Sequence, residues 1–376
     1  MIDPEIFYKS LKAKKIDFYA GVPDSLLKHF CFYVSQNVKP ENHIIAANEG
    51  NALSLGIGYH LATNNIPLIY LQNSGLGNMI NPLLSLADSD VYSIPMLLLI
   101  GWRGEPGIKD EPQHKKQGRI TLELLKTMEI PYEIVGPDNN NNDVALILSN
   151  IFKNIKLHNK PHAIVIKKNT FVEYKIKNNI KSKYSLNREE SIKTICKNID
   201  KDDVIVTTTG FTSREFFKYK AQSNINGLHD FLVIGGMGHA SQIALGLALK
   251  KQKKTIYCLD GDGSLIMHMG SLAINASLGV KNFKHIVFNN GCHESVGGQP
   301  TVGHDIDFQL IAKGCGYKSV LQAKTINEIK SCIQEIKNNN CTTFLEIMIG
   351  EGHNKKLGRP TKTPQEIKEL LMNFIK

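Results

Sequence analysis

The sequence of 376 residues lacks paired cysteines, long apolar runs and a secretory signal. Its seven cysteines include no CxxC pair and no zinc-like spacing, which argues against a structural zinc site and favours free thiols in a reducing compartment. Apolar runs such as Met96–Ile100 are far too short to cross a bilayer, and the acidic start Met1–Glu5 is not followed by an apolar segment. We therefore expect a cytoplasmic protein with no membrane partner.

A nucleic-acid-binding motif is also absent. The 45 basic residues outnumber the 35 acidic ones, which gives a net charge of +10. The lysines are scattered between asparagines or other polar residues, as in Lys175–Lys183 and Lys250–Lys254, and no aromatic residues alternate with them in a binding pattern. This distribution is typical of a solvated surface, so we expect no nucleic-acid partner. A mildly positive field would still attract an anionic substrate.

Short segments rich in β-branched and aliphatic residues alternate with amphipathic helical stretches along the whole chain. This alternation predicts an α/β protein with mostly parallel sheets. The predicted strands are Ile44–Ala47, Pro67–Gln72, Pro95–Ile100, Ala163–Ile166, Val204–Thr208, Lys254–Leu259, His285–Phe288 and Thr343–Ile347.

The length favours two domains, and a polar segment lies near the middle of the chain. Residues 173–187 are rich in Lys and Asn and have too little apolar material to join a core, so they are predicted to be a linker. The N-terminal domain would then span residues 1–172 and the C-terminal domain residues 188–376. A weak repeat agrees, since Gly58 and Gly75 recur as Gly246 and Gly263 at a shift of 188 residues.

The C-terminal half contains Gly261-Asp262-Gly263-Ser264 at the end of a predicted strand, followed by Asn289-Asn290 at the end of the next. Glycines let a backbone approach a diphosphate, and the Asp262 carboxylate and the Asn290 amide supply oxygen ligands for Mg²⁺. A strand, a Gly-rich turn and a helix would place phosphate oxygens over backbone N–H groups. An ordinary Gly- and Asp-rich turn is the alternative interpretation.

This pattern resembles the thiamine diphosphate-dependent enzymes. The resemblance implies two related three-layer α/β/α domains, one binding the aminopyrimidine and the other the diphosphate with Mg²⁺. It implies that the metal is held by Asp262, the Asn290 side chain and the Cys292 carbonyl, and that Gly235 and Met237 support the bent cofactor. Thr209 and Gly210 would border the diphosphate pocket. A glycine-rich turn with a core methionine would also explain Gly235-Gly236-Met237.

Glu49 is the first candidate for a catalytic residue. It follows a predicted strand within Ala46–Ala52, a segment of small residues. A carboxylate in a largely apolar setting can share a proton with a ring nitrogen of the aminopyrimidine, and the resemblance implies this role for Glu49. The alternative is a solvent-facing glutamate at the first turn of a helix.

The N-terminal half narrows the resemblance to the phosphonopyruvate decarboxylases. The similarity extends over nearly the whole chain, and the segments that carry it are Gly21–Ser25, Gln72–Asn78, Gly101–Gly107, Pro112–His114 and Thr209–Glu215. An anionic substrate tail would suit Arg103 and His114, which lie in a Gly- and Pro-rich loop after a predicted strand. Asp24 and Ser25 are further substrate candidates and resemble the cap of the helix through Tyr33.

His293 and Glu294 follow the metal motif directly and would lie near the reacting part of the cofactor. Either residue could assist a proton transfer or bind the substrate carboxylate, and we take His293 as the second catalytic candidate. Loop structure alone would also explain this Gly-rich stretch.

The resemblance implies decarboxylation of the anionic 2-oxo acid 3-phosphonopyruvate to phosphonoacetaldehyde and CO₂ in phosphonate biosynthesis, with thiamine diphosphate and Mg²⁺. It also implies a homodimer or higher homo-oligomer with active sites between chains. Three alternatives stay open: a sulfopyruvate decarboxylase, a carboligase of the same family, and a catalytically silent cofactor-binding subunit. Phosphonate and sulfonate are tetrahedral anions of similar size, so the residues alone do not distinguish them.

Overall fold

The computed structural model describes residues 1–175, 183–222, 229–354, 357–358 and 362–376. The chain divides into two compact units, Met1–Asn179 and Ile180–Lys376, which we call the N-terminal and the C-terminal unit. The division falls within residues 173–187, the predicted linker, of which residues 176–182 lie outside the described part. The end of this segment does not behave as predicted, because Leu186 is buried in the core of the C-terminal unit.

The N-terminal unit contains one six-stranded sheet, and all its neighbouring strands pair in parallel. Its strands are β1 Tyr19–Gly21, β2 His43–Ile45, β3 Leu68–Gln72, β4 Leu97–Gly101, β5 Tyr132–Val135 and β6 His162–Ile166. Its helices are α1 Pro4–Ala13, α2 Lys28–Asn37, α3 Glu49–Thr63, α4 Leu76–Pro82, α5 Pro112–Thr127 and α6 Asn141–His158. The strand order across the sheet is β2-β1-β3-β4-β6-β5.

The C-terminal unit has a second parallel sheet of six strands and one small antiparallel pair. Its strands are β7 Val204–Thr207, β8 His229–Leu232, β9 Ile256–Gly261, β10 Phe283–Asn289, β11 Cys292–His293, β12 Gln299–Pro300, β13 Ser319–Ala323 and β14 Thr343–Met348. Its helices are α7 Arg188–Asn198, α8 Phe211–Gln222, α9 Ala240–Lys250, α10 Asp262–Met267, α11 Ser271–Ser277, α12 Phe308–Cys315, α13 Ile326–Asn338 and α14 Pro364–Phe374. The large sheet has the order β13-β14-β10-β9-β7-β8.

Helices cover both faces of each sheet, so each unit has three layers. In the N-terminal unit, Leu97 and Leu99 of β4 pack with α1, α2 and α6, whereas Leu98 and Ile100 pack with α3, α4 and α5. In the C-terminal unit, β9 contributes alternate residues to a cluster with α7, α8 and α13 and to another with α9. Strands buried on both faces explain the continuous apolar runs in the sequence. The predicted α/β fold class is confirmed.

The two sheets have the same topology. When the six strands of each large sheet are numbered along the chain, both follow the order 2-1-3-4-6-5. The shift of 188 residues places β3 on β9 and α3 around α9, so the weak sequence repeat coincides with matched elements. Both units therefore present equivalent strand ends, where parallel sheets usually bind ligands.

The structure also bears on the cysteines and on membrane-spanning helices. The seven cysteines form no disulfide. In the part of the chain that the structure describes, no helix combines the length and the apolar character that a membrane span requires.

Candidate active site

Loops at the carboxyl edge of the C-terminal sheet meet where β7, β8, β9 and β10 end. Ser264 joins three of them, since its Oγ lies 2.9 Å from Thr208 Oγ1 and accepts a hydrogen bond from the Gly238 N–H at 3.0 Å. Thr209 Oγ1 donates to the Ile234 carbonyl at 3.0 Å. The cofactor residues predicted in this half of the chain all lie on these loops or on the strand and helix ends beside them: Thr209, Gly210, Gly235, Met237, Gly261, Asp262, Gly263, Ser264 and Asn290.

The turn Gly261–Ser264 leaves open space above its first backbone unit. A Cβ added to Gly261 would meet no atom within 4 Å, whereas a Cβ on Gly263 would lie 2.8 Å from Cε1 of His293. Open backbone at the end of a strand suits the close approach of a diphosphate. Gly263 has a different task, because it lets the His293 ring pack against the turn.

Asp262 is the first residue of α10 and is only 3% exposed. Burial raises the pKa of its carboxyl to about 6, although the Thr301 hydroxyl donates a hydrogen bond to it. Among the described residues no Lys, Arg or His forms an ion pair with Asp262. A buried carboxylate without a protein cation is suited to a divalent metal ion. The residues at this site therefore fit the predicted Mg²⁺.

The two asparagines of the motif are held in the same way. The Nδ2 group of Asn289 donates to Glu346 Oε1 at 2.8 Å, and that of Asn290 donates to Glu294 Oε2 at 3.3 Å. Each Oδ1 accepts the backbone N–H two residues further on, at 3.2 Å in both cases. The second of these N–H groups belongs to Cys292, which brings the predicted ligands Asn290 and Cys292 together.

His293 and Glu294 differ in their surroundings. Burial lowers the pKa of His293 to about 4, so its imidazole is neutral at pH 7. Glu294 is tied into an ion pair, because Arg188 Nη2 donates to its Oε2 at 2.6 Å and His353 Nδ1 lies 3.2 Å from its Oε1. Of the two acid-base candidates, His293 is the one without an ion pair in the described structure.

Glu49 is the first residue of α3 and is 5% exposed, so it is not a solvent-facing cap. The cap position belongs to Asn48, whose side chain accepts from the Asn51 N–H at 2.9 Å. Asn78 Nδ2 donates to Glu49 Oε2 at 2.7 Å, but burial has the larger effect and raises the pKa of the carboxyl above its ordinary value. Glu49 can therefore take up a proton more readily than an exposed glutamate.

The segment Gln72–Asn78 organises the carboxyl edge of the N-terminal sheet. Its Gln72 donates to Asp24 Oδ1 at 2.7 Å, and its Asn73 donates to the Arg103 carbonyl at 2.8 Å. Glu49 lies over the glycine in this segment, since a Cβ on Gly75 would be 2.3 Å from Glu49 Oε1. Glu49, Asp24 and Arg103 are thus all held by one segment.

Arg103 is less free than the sequence suggests. Its Nε and Nη2 groups donate to the two carboxylate oxygens of Asp110 at 2.8 and 2.5 Å, and Nη1 donates to Ser25 Oγ at 3.0 Å. Three of its five N–H groups are therefore committed, and the ion pair with Asp110 offsets its charge locally. Ser25 and Arg103, both predicted to bind substrate, are in direct contact.

The prediction that Asp24 and Ser25 cap the following helix is wrong. Helix α2 begins at Lys28 and has no side-chain cap, because Asp24 Oδ2 accepts from the N–H of Leu26 at 2.7 Å and closes a turn before the helix. Asp24 is fully buried, and burial raises the pKa of its carboxyl. Its oxygens are used within the protein, so it supports the site rather than facing it.

His114 lies in the first turn of α5. Burial and the nearby Arg103 charge lower the pKa of His114 to about 4. Its buried Nδ1 atom has no hydrogen-bond partner within the described residues. His114 thus presents a neutral ring with one unsatisfied buried polar atom.

Several side chains that shape the site were not predicted: Asn78, Asp110, Arg188 and Glu346. Asp110 could have been found, because it follows Arg103 within the same Gly- and Pro-rich loop. Arg188 lies 106 residues from Glu294, and Glu346 lies 57 residues from Asn289. Such pairs leave no local pattern in a sequence.

Another unpredicted group lies within the sheet, on β9 and β10. Cys258, Asp260 and His285 are buried and close enough to share a cation. His285 Nε2 lies 3.3 Å from Asp260 Oδ2, and its Nδ1 lies 3.4 Å from the Tyr317 hydroxyl. The ring nitrogens therefore already have partners.

Two family profiles match the chain, and each falls in one unit. The thiamine pyrophosphate enzyme N-terminal TPP binding domain matches residues 4–125, and the C-terminal TPP binding domain matches residues 208–347. A sulfopyruvate decarboxylase subunit beta from Methanocaldococcus jannaschii is 31% identical over 50% of this chain and 97% of its own length. The chain belongs to the thiamine diphosphate-dependent decarboxylases.

Full-length relatives agree with this assignment. A phosphonopyruvate decarboxylase from Streptomyces viridochromogenes is 28% identical and covers 95% of this chain and 90% of its own length. A sulfopyruvate decarboxylase from Methanosarcina acetivorans is 27% identical, and the match covers 95% of this chain and 93% of that protein. This decarboxylase is thus a carboxy-lyase for 2-oxo acids that uses thiamine diphosphate, and the matched profiles include Glu49 in one unit and Asp262 in the other.

Proposed function

We propose that this decarboxylase converts 3-phosphonopyruvate to phosphonoacetaldehyde and CO₂, with thiamine diphosphate and Mg²⁺. The observation that carries the proposal is the buried Glu49 carboxyl with its raised pKa. Because its pKa is raised, such a group holds a proton at its Oε atom more readily than an exposed glutamate and can share it with a ring nitrogen of the cofactor. The product would serve phosphonate biosynthesis.

The C-terminal unit would hold the diphosphate and the metal ion. Bound thiamine diphosphate supplies the electron sink that accepts the electron pair left by CO₂. Asp262, the Asn290 Oδ1 atom and the Cys292 carbonyl would hold Mg²⁺, and the open backbone at Gly261 would approach the phosphates. The remaining contacts with the cofactor would be made by Thr209, Gly210, Gly235, Met237 and Ser264. Neutral His293, packed on Gly263, would accept or relay a proton beside this turn.

The substrate tail would bind at the carboxyl edge of the N-terminal sheet. Asp110 and Ser25 together accept three of the five N–H groups of Arg103, which leaves two for an anionic oxygen. Ser25 and the unpaired Nδ1 atom of His114 would complete the contacts. Asp24 would act indirectly, by fixing the turn that carries Ser25.

The assembly would be a homodimer or a higher homo-oligomer, with Glu49 and Asp262 of one site contributed by different chains. Exposed apolar side chains on α3 and on α11, such as Leu61 at 72% exposure and Ile274 at 53%, are consistent with contacts between copies.

The deciding experiment compares substrates. Purified protein with Mg²⁺ and thiamine diphosphate is incubated with 3-phosphonopyruvate, 3-sulfopyruvate or pyruvate, while CO₂ release is followed. We expect kcat/KM for 3-phosphonopyruvate to exceed that for the other two by about tenfold or more. Faster turnover of 3-sulfopyruvate would instead identify a sulfopyruvate decarboxylase. The similarity to the relative from M. acetivorans supports this alternative.

Two further outcomes would overturn the proposal. Carbon–carbon products that form only when an acceptor aldehyde is added would identify a carboligase. Binding of the cofactor without CO₂ release from any of the three acids would identify a catalytically silent subunit.

A further inference from the structure

The carboxylate of Glu294 lies between Asn290 and helix α7, which contributes Arg188. Its Oε2 atom accepts from Arg188 Nη2 at 2.6 Å and from Asn290 Nδ2 at 3.3 Å, and its Oε1 atom lies 3.2 Å from His353 Nδ1. The Glu294 side chain is 10% exposed and that of Arg188 is 8% exposed. The contact with Asn290 therefore lies in a partly dehydrated setting, where hydrogen bonds to charged groups are strong.

An asparagine that binds a metal must present the correct end of its amide. Only Oδ1 can act as a ligand, and the Nδ2 group must point away from the cation. An ionised carboxylate has only acceptor atoms, so it pairs with Nδ2 and cannot pair with Oδ1. Glu294 thus selects the amide orientation in which Oδ1 is turned away from the carboxylate.

Arg188 holds Glu294 in place from another element. Its Nε donates to Glu215 Oε2 at 2.9 Å, and its Nη2 donates to Glu294. One guanidinium therefore joins α7, α8 and the loop that carries Glu294. The pairing restricts the Glu294 side chain. Glu215 contacts Arg188 and forms no hydrogen bond with Asn290 in the described part of the chain, which makes it a matched comparison for Glu294.

We propose that Glu294, held by Arg188, is a positioning residue that orients the Asn290 amide and thereby sets the affinity for the divalent cation and the cofactor. The inference rests on the proposed Mg²⁺-dependent function. Partners of metal ligands typically change metal affinity by 10–100-fold when they are removed.

The first test compares Glu294→Gln with Glu215→Gln. Mg²⁺ is titrated by calorimetry into protein saturated with thiamine diphosphate, and thermal midpoints are recorded without cofactor. We expect Glu294→Gln to weaken Mg²⁺ binding by about 10–100-fold. Both variants should lower the thermal midpoint, because each removes one charge partner of Arg188. Glu215→Gln should leave Mg²⁺ affinity within about threefold of wild type, because it does not touch Asn290.

A second test predicts a reversal of sign. In an Asn290→Asp background the ligand is a carboxylate, which presents oxygen in either orientation and repels Glu294. Adding Glu294→Gln to that background should therefore strengthen Mg²⁺ binding instead of weakening it. A merely structural role predicts weaker binding in both backgrounds.

The outcomes separate the two hypotheses. Wild-type protein that binds thiamine diphosphate equally well with and without Mg²⁺ would refute the proposed metal site itself. Mg²⁺-dependent binding that is unchanged by Glu294→Gln would refute the positioning role alone. If Glu294→Gln does not fold, Glu294→Asp, which keeps the charge but draws the carboxylate back from Asn290, is titrated instead, and Mg²⁺ affinity equal to that of wild type would overturn the inference.

Discussion

Each unit buries one carboxylate at the first turn of a helix, Glu49 in α3 and Asp262 in α10. Burial raises the pKa of both, but their surroundings differ. Glu49 lies over Gly75 and binds an amide, whereas Asp262 binds a hydroxyl close to two asparagines. At the shift of 188 residues Glu49 corresponds to Met237, and Asp262 corresponds to Ser74. Neither unit repeats the acid of the other, so a shared fold has acquired two different chemistries.

Glu49→Gln tests the proton-sharing role. The amide keeps the size of the side chain and can still bind Asn78, but it cannot hold an exchangeable carboxyl proton. We expect CO₂ release to fall by about 10²–10⁴-fold, with cofactor affinity within a few-fold of wild type in a calorimetric titration. Glu133→Gln, on the exposed surface of β5, is the control. Unaltered turnover of Glu49→Gln would remove Glu49 from the mechanism.

His162 should make the protein sensitive to acid. It is 3% exposed, and neither ring nitrogen has a hydrogen-bond partner in the portion of the chain described here. Burial lowers its pKa from 6.5 to about 4, so the unfolded chain takes up a proton before the folded one as the pH falls. The stability from neutral His162 is present above pH 6.5 and is lost progressively towards pH 4.

His162→Phe removes this titration. Between pH 7.5 and 5.5, wild type should lose about 1.4 kcal/mol more unfolding free energy than the variant. Chemical denaturation at both pH values measures the difference. Equal losses in the two proteins would show that His162 does not contribute.

At the scale of elements, the start of α4 controls the position of Glu49. A Cβ on Gly75 would lie 2.3 Å from Glu49 Oε1, whereas a Cβ on Gly77 would meet no atom within 4 Å. Gly75→Ala should displace the carboxylate and reduce kcat by about 10²-fold or more, since proton transfer depends on geometry. Gly77→Ala should keep most of the activity, because alanine favours the helix. Similar kcat values for both variants would contradict the proposed packing.

The sequence predicts the interior strands better than the edges. All eight predicted strands are present, with ends within two residues of the predicted ones. The strands that were missed within the large sheets are β1, β5, β8 and β13. Three of these lie at sheet edges, where β8 contains His229 and Asp230, and polar residues weaken the apolar signal. The fourth, β1, has only three residues.

The site could be predicted only where its residues form local motifs. Gly261–Ser264 and Asn289-Asn290 are short runs at strand ends, so the sequence indicates their meeting place. Asn289 is oriented by Glu346, and the Glu294 carboxylate that binds Asn290 is held by Arg188. Both Glu346 and Arg188 are distant in sequence from the motif. The pairing of Arg103 with Asp110 also depends on the path of a loop, which composition does not specify.

At the scale of the whole molecule, the proposed assembly predicts complementation. If Glu49 and Asp262 of one site come from different chains, Glu49→Gln and Asp262→Ala each inactivate every site in their own oligomers. Mixing equal amounts and allowing subunit exchange should restore about a quarter of the wild-type sites in a dimer. CO₂ release measured before and after exchange gives the result. No recovery despite exchange, verified by mass spectrometry of tagged chains, would place both residues of a site in one chain.

The polar segment of residues 173–187, which connects the two sheets, contains none of the residues assigned to catalysis, to the cofactor or to the substrate. Each unit has its own sheet and its own apolar clusters, and the segment contributes Leu186 to the core of the C-terminal unit. Its consequence lies in gene expression. A covalent tether ensures that every ribosome that finishes the Asp262-bearing unit has already made one Glu49-bearing unit, which fixes their stoichiometry at one to one without balanced transcription of two genes.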